Sequence, residues 1–181
     1  MKFALGVPLM HRGEDNAFLT GESIAGLAQA AEKAGYDALY ITEHPIPGDK
    51  WLRFGGHHAP DPFIGLAFAA AATTKLRLLT NLTVVPYRNP FLLAKTVATL
   101  DRLSNGRVIL GVGTGYLKPE YFAMGVDFEE RNDLFDESIE VMRQTWTGES
   151  VTYSGRHFDV MCVGRRKAQR VADWVGGGCL S

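Results

Sequence analysis

Arg107-Val108-Ile109-Leu110-Gly111-Val112-Gly113-Thr114-Gly115-Tyr116 is the stretch that decides the fold. Val108, Ile109, Leu110 and Val112 give it the two-sided apolar character of a parallel strand covered on both faces. Its C-terminal end runs out into glycines, and Gly113 and Gly115 admit a close backbone approach that a side chain would block. In α/β proteins that end of a strand is where ligands bind. The G-x-G-x-G spacing resembles a dinucleotide fingerprint, but the run lies deep in the chain. The next helical pattern begins only near Glu129, so no helix N-terminus is expected directly after the glycines to meet a pyrophosphate. A barrel-type strand end lining a cofactor site fits better, with glycines that serve only packing as the alternative.

Working outward, the same strand-then-helix unit repeats. Asn105-Gly106 turns the chain into this strand from a helix that opens after Asn89-Pro90 and buries Leu92, Leu93, Val97 and Leu100. Before it lies a strand over Leu76 to Val85, and before that a helix from Pro62 with Asp61 as its N-cap. The first unit has a strand at Phe3 to Val7, a helix from about Glu22 ended by Gly35, and a strand over Ala38 to Thr42. After the glycines a further helix covers Glu129 to Trp146. Ser154-Gly155 centres a hairpin within Val151 to Val160. The pattern predicts an α/β fold, a TIM-barrel-type (β/α) repeat with parallel strands and outer helices. It is incomplete, about half of a (β/α)8 barrel, since a whole barrel needs about 250 residues and the chain has 181. Residues 1–160 form this barrel part. Residues 161–181, with a basic helix from Arg165 to Trp174 and a glycine-rich tail, form an atypical end.

Composition narrows the function classes. An apolar content of 46% and a net charge of -1 fit a globular protein and give no basic surface for nucleic acid. No apolar run is long enough for a membrane span and the N-terminus has no apolar leader segment, so a cytoplasmic protein is expected. The two cysteines, Cys162 and Cys179, lie far from any metal-ligand spacing, and no metal site is expected. A half barrel exposes unpaired strand edges beside an apolar sheet face, which predicts a homodimer closed over that edge or over the helices of the first strands.

Chemistry is expected where strands end. Glu43-His44 follows the second strand, and a neutral imidazole at His44 suits proton transfer near neutral pH. His44 bonded to backbone in the proline-rich loop is the bland alternative. Glu43 is a second catalytic candidate, or else it ties down the next strand through a buried ion pair. Arg88 would then either neutralise an anionic ligand or pair with Glu43. Thr80-Asn81-Leu82-Thr83 places polar groups inside an apolar strand, where they demand partners. They read either as a platform for a planar ring or as a bulge. The adjacent His57-His58 is expected to be solvated or lid-like, since neighbouring residues rarely chelate one metal.

Taken in order, Ile41-Thr42-Glu43-His44, Leu79-Thr80-Asn81-Leu82, Pro86-Tyr87-Arg88-Asn89-Pro90, Thr99-Leu100-Asp101-Arg102-Leu103-Ser104-Asn105-Gly106-Arg107 and Leu110-Gly111-Val112-Gly113-Thr114-Gly115-Tyr116 resemble the luciferase-like monooxygenase superfamily. The nearest resemblance is to its deazaflavin (coenzyme F420)-dependent oxidoreductases. That resemblance implies a (β/α)8 barrel, commonly dimeric, with coenzyme F420 or FMN at the C-terminal mouth. It implies that His44 lies near the reacting face of the ring and that a non-prolyl cis peptide at Asn81-Leu82 supports the other face. Cofactor contacts are then expected from Thr80, Asn81, Leu82, Thr83, Gly113, Thr114, Gly115 and Tyr116. Tyr116 stands where some deazaflavin dehydrogenases carry a glutamate, which speaks against a sugar-phosphate substrate.

The implied activity is hydride transfer between the reduced cofactor and a small organic substrate. FMN-dependent monooxygenation is the alternative, as is a shortened, non-catalytic relative acting as a dimeric scaffold.

Overall fold

A computed structural model describes residues 1–9 and 19–163. Residues that cap helices set its framework. Strand β1 (Ala4–Gly6) leads to helix α1 (Gly21–Ala34), whose N-cap Thr20 accepts a hydrogen bond from the Ser23 N–H. Gly35 ends the helix at φ 84°, where its lack of a Cβ admits the left-handed turn. Strand β2 (Ala38–Ile41) and a short helix α2 (Asp49–Arg53) precede helix α3 (Pro62–Ala72). The Asp61 carboxylate caps α3 by accepting from the Phe63 and Ile64 N–H groups at 2.9 and 3.0 Å. After strand β3 (Arg77–Val84) and a 3₁₀ turn at Val85–Tyr87, Asn89 caps helix α4 (Pro90–Leu103) in the same way. Asn105 and Gly106, both at positive φ, turn the chain into strand β4 (Val108–Gly113).

The four strands form one parallel sheet in the order β1-β2-β3-β4. Consecutive parallel neighbours joined by helices make up half of a (β/α)8 barrel. Leu39, Ile41, Leu78 and Val108 of the sheet pack with Leu66 of α3, Leu93 and Val97 of α4 and Met142 of helix α6 (Arg131–Trp146). These apolar side chains are fully buried, and their removal from water is the main stabilising term of the unit.

At the end of the sheet where the strands begin, polar side chains satisfy backbone groups that neither helix nor sheet pairs. The Glu32 carboxylate accepts from the N–H groups of Thr74, Lys75 and Leu76. The Arg107 guanidinium donates to the carbonyls of Ala70, Leu76 and Ser104 and to the Thr73 hydroxyl. This end is bracing; the strands' other ends carry the candidate site.

Several sequence expectations need correction. The loop after β2 is not continuous, because α2 interrupts it. A second helix, α5 (Lys118–Ala123), follows the glycines five residues after β4, where none was expected before Glu129. Helix α6 starts at Arg131 rather than Glu129. The expected hairpin forms from β5 (Val151–Ser154) and β6 (Asp159–Val163). Glu137 of α6 holds its turn by accepting from the His157 and Phe158 N–H groups. The division at residue 160 falls inside β6, and the basic helix Arg165 to Trp174, Cys179 and the glycine-rich tail lie outside the described residues. Among the described residues, no helix is long and apolar enough to cross a membrane, and no cluster of His, Cys, Asp and Glu is placed to hold a metal.

Candidate functional site

Glu43 and His44 leave β2 in different directions and do different things. Glu43 turns inward and is only 4% exposed. Its Oε2 accepts from the Val84 N–H at 2.7 Å, and its Oε1 accepts from Arg88 Nε at 2.9 Å and from Arg88 Nη2. Arg88 Nη2 also donates to Asp61 Oδ2 at 2.7 Å, and the guanidinium lies over the Phe63 ring. One clamp thus joins the end of β2, the end of β3 and the first turn of α3. Burial pushes the Glu43 carboxyl up, opposed by Arg88 and the Val84 N–H. Burial pulls Arg88 down, but the Glu43 and Asp61 carboxylates outweigh it and hold Arg88 above the ordinary arginine range. Of the two possibilities for Arg88, the structure has the pairing with Glu43.

His44 enters a small aromatic enclosure. Its side chain is 10% exposed, with the ring centroid 4.4 Å from Trp51 of α2 and 5.1 Å, edge-on, from His57. Trp51 and His57 also meet each other, at 5.3 Å. A Cβ on Gly56 would lie 2.2 Å from the Trp51 indole, so the loop closes tightly over that ring only because residue 56 is glycine. His57 is accordingly half-buried against His44, which corrects the solvated expectation for that residue and leaves the lid-like one; His58 is exposed.

The floor of the enclosure comes from α5. Glu120 is 1% exposed, and its Oε1 lies 3.5 Å from His44 Nδ1. Its Oε2 accepts from the Tyr87 hydroxyl at 3.1 Å. Tyr87 packs edge-on against Tyr121, which packs on Phe128 beneath the Arg131 guanidinium. The Tyr121 hydroxyl donates to the Thr114 carbonyl, tying α5 to the end of β4. Burial pushes the Tyr121 hydroxyl up to about 12. It also pushes Tyr87 well above the ordinary tyrosine range, with the Glu120 carboxylate adding to the effect.

Trp51, Tyr87 and Glu120 were missed as site residues by sequence reading. Lys118-Pro119-Glu120 carries a usable signal, a proline and an acidic residue in a first helical turn. Neither the Trp51 contact nor the Tyr87 bond leaves any local mark in the sequence.

The β3 and β4 residues divide into two groups. Thr80 is fully buried and its hydroxyl donates to the Gly111 carbonyl at 2.8 Å, so that side chain braces the sheet. Pairing between β3 and β4 shifts register between Thr80 and Thr83. The Asn81-Leu82 peptide within the shift is cis, at the bond the resemblance implies. Asn81 and Leu82 are both exposed, whereas Thr83 is buried and its Oγ1 has no hydrogen-bond partner among the described residues. A Cβ on Gly113 would come 2.8 Å from the Leu82 side chain, and Gly115 takes φ 71° beside Val84. Tyr116 is 64% exposed.

The strand ends thus offer an apolar ledge at Leu82, an amide at Asn81, an aromatic ring at Tyr116 and, after the neighbouring strand β2, the imidazole of His44. This donor set fits a planar heterocycle with one apolar face and polar edges. Arg88, the cation that follows β3, is already committed to two carboxylates.

A sequence model described as luciferase-like monooxygenase matches residues 1–177. The chain is 34% identical to an F420-dependent glucose-6-phosphate dehydrogenase of Kineococcus radiotolerans, over 96% of this chain and 52% of that protein. It is 37% identical to the enzyme of the same name from Segniliparus rotundus, over 71% of this chain and 38% of that one. Among solved structures, monooxygenase RslO1 from Streptomyces bottropensis superimposes with a TM-score of 0.75 at 28% identity, covering 97% of this chain and 51% of that one. The oxygenating constituent of 3,6-diketocamphane monooxygenase from Pseudomonas putida, a complex with FMN, superimposes with a TM-score of 0.79 at 24% identity. That match covers 97% of this chain and 49% of that one, and it bears on the fold alone. The chain spans about half the length of the curated relatives it matches.

Proposed function

This chain belongs to the luciferase-like monooxygenase family, and from that premise we propose that it serves a deazaflavin-dependent oxidoreductase acting on a small organic substrate. The observation that carries the reading is His44, enclosed by Trp51, His57 and Glu120 at the end of β2, the strand that pairs with Leu82's strand β3. Coenzyme F420, when bound, supplies hydride transfer. The protein's part is to seat the ring against Asn81, Leu82 and the Gly113-Thr114-Gly115-Tyr116 turn. His44 exchanges a proton with the substrate. Trp51 and His57 keep water from the imidazole and fix its plane. Glu43 acts by holding β2, β3 and α3 in register, and Thr80 acts by bracing β3 on β4. The relatives named as F420-dependent dehydrogenases support the deazaflavin.

FMN with monooxygenase chemistry is the second reading, supported by the family's description as luciferase-like monooxygenase and by the likeness to monooxygenase RslO1. Fluorescence titration of the purified chain with each cofactor separates them. The first reading expects saturable binding of the deazaflavin at micromolar concentration, tighter than FMN. Tighter FMN binding would favour the second, and no saturable binding of either at tens of micromolar would reject both for this chain. The homodimer belongs to the same reading: α3 presents Ile64 and Phe68 outward at 65% and 50% exposure, apolar surface that a second copy would cover.

A further inference from the structure

We propose that Glu120 is a positioning residue for His44: it holds the imidazole in the Nδ1–H tautomer, so that Nε2 carries the lone pair that takes the substrate's proton. This rests on the reading of His44 as the proton-handling group, and it assigns α5 a part in the site.

His44 Nδ1 and Glu120 Oε1 are both shielded from solvent, and among the described residues neither has another hydrogen-bond partner. They face each other at 3.5 Å, a few tenths of an ångström beyond an ordinary bond. A buried carboxylate is costly unless its oxygens receive protons from donors. Oε2 already receives one from Tyr87, whose hydroxyl stays protonated because burial and the neighbouring carboxylate oppose its ionisation. Oε1 needs a second, and the group opposite it is Nδ1. A proton on Nδ1 completes the carboxylate's shell and fixes the tautomer, because the bond at one ring nitrogen decides the state of the other.

The ring is held for this bond from three sides. Trp51 contacts it from α2, His57 from the loop that follows, and Glu120 from α5. A Cβ at Gly48 would lie 3.7 Å from the Pro119 ring, so the loop runs close to the first turn of α5. Among the described residues, the charged and titratable groups around His44 are His57 and Glu120, with Tyr87 behind Glu120. Glu43, next in the chain, is satisfied by Arg88 and the Val84 N–H and does not compete for the imidazole. The opposite protonation, a neutral Glu120 donating to Nδ1, would put the ring proton on Nε2 and remove the base.

The full chain labelled with 15N in histidine reads the difference directly, with the His44 resonances assigned by their loss in His44→Gln. At a pH where the ring is neutral, the expected spectrum has Nδ1 protonated and Nε2 unprotonated. In Glu120→Gln the amide oxygen keeps the Tyr87 bond and the NH₂ faces Nδ1, so the tautomer reverses. In the loaded enzyme kcat falls by about 10²-fold with KM little changed.

A wild-type ring protonated at Nε2 overturns the proposal, and so does an unchanged tautomer in Glu120→Gln. The wild-type spectrum decides even if that variant fails to fold. Because the spectrum needs no cofactor, the expected tautomer without any cofactor binding would reject the functional reading and leave the pair intact.

Discussion

Replacing Gly111 by alanine tests the close approach of β3 and β4 that places the strand ends. A Cβ at this position would lie 2.2 Å from the Thr80 carbonyl oxygen. The atom it meets is backbone in the middle of a parallel pair, not the tip of a flexible side chain, so roughly 1 Å of strand displacement is needed to reach ordinary contact. Overpacking of this kind costs about 1–3 kcal/mol. The Thr80 hydroxyl bond to the Gly111 carbonyl is stretched by the same movement and its loss adds about 1 kcal/mol. The sum, about 2–4 kcal/mol, corresponds to a fall in melting temperature of about 5–15 °C for a chain of this size.

Thermal and urea unfolding followed by circular dichroism measure it. Gly26→Ala is the control: a Cβ there meets nothing within 4 Å on α1, and the substitution should stabilise by about 0.5–1 kcal/mol through helix propensity. A Gly111→Ala protein within about 0.5 kcal/mol of wild type, below the overpacking range, would refute the reasoning.

Other perturbations address separate parts of the structure. Glu43→Ala strands the buried Val84 N–H and removes a carboxylate from Arg88, which should cost about 3–5 kcal/mol in urea unfolding; a loss near that of a surface mutation would contradict the clamp. Glu32 is held below the ordinary glutamate range by the N–H groups of Lys75, Leu76 and Thr74. Its stabilisation is present above the unfolded-state value and lost as pH falls through the lower folded value. The stability gap between wild type and Glu32→Gln should therefore close on acidification, and a gap independent of pH would show that the three N–H bonds do not depend on its charge. Sedimentation equilibrium at micromolar concentration should show a dimer that Phe68→Glu dissociates; a wild-type monomer would contradict the homodimer.

The fold was legible because its punctuation is local. Asp61-Pro62, Asn89-Pro90, Gly35 and Asn105-Gly106 each act within a turn of where they stand, and each ends or begins an element where the sequence places it. The two short helices were not legible. Asp49–Arg53 and Lys118–Ala123 are too brief to show a repeating apolar face, and packing holds them more than propensity does. The candidate site is legible where it follows a strand end, as at His44. It is not where tertiary contact makes it. Glu120 lies 76 positions beyond His44 in the numbering and meets it only because α5 is tied to Thr114 and Tyr87. Thr80 and Glu43 show the converse, polar side chains whose positions suggest chemistry but whose bonds hold the sheet together.

The central claim is that a deazaflavin ring sits at the C-terminal ends of these strands, against His44. The most direct measurement is a titration of the histidine-labelled chain with coenzyme F420, following the His44 imidazole resonances. The account predicts that they move saturably, with a midpoint matching the cofactor's fluorescence change. Saturable fluorescence with the His44 resonances unmoved would place the cofactor elsewhere and contradict the account.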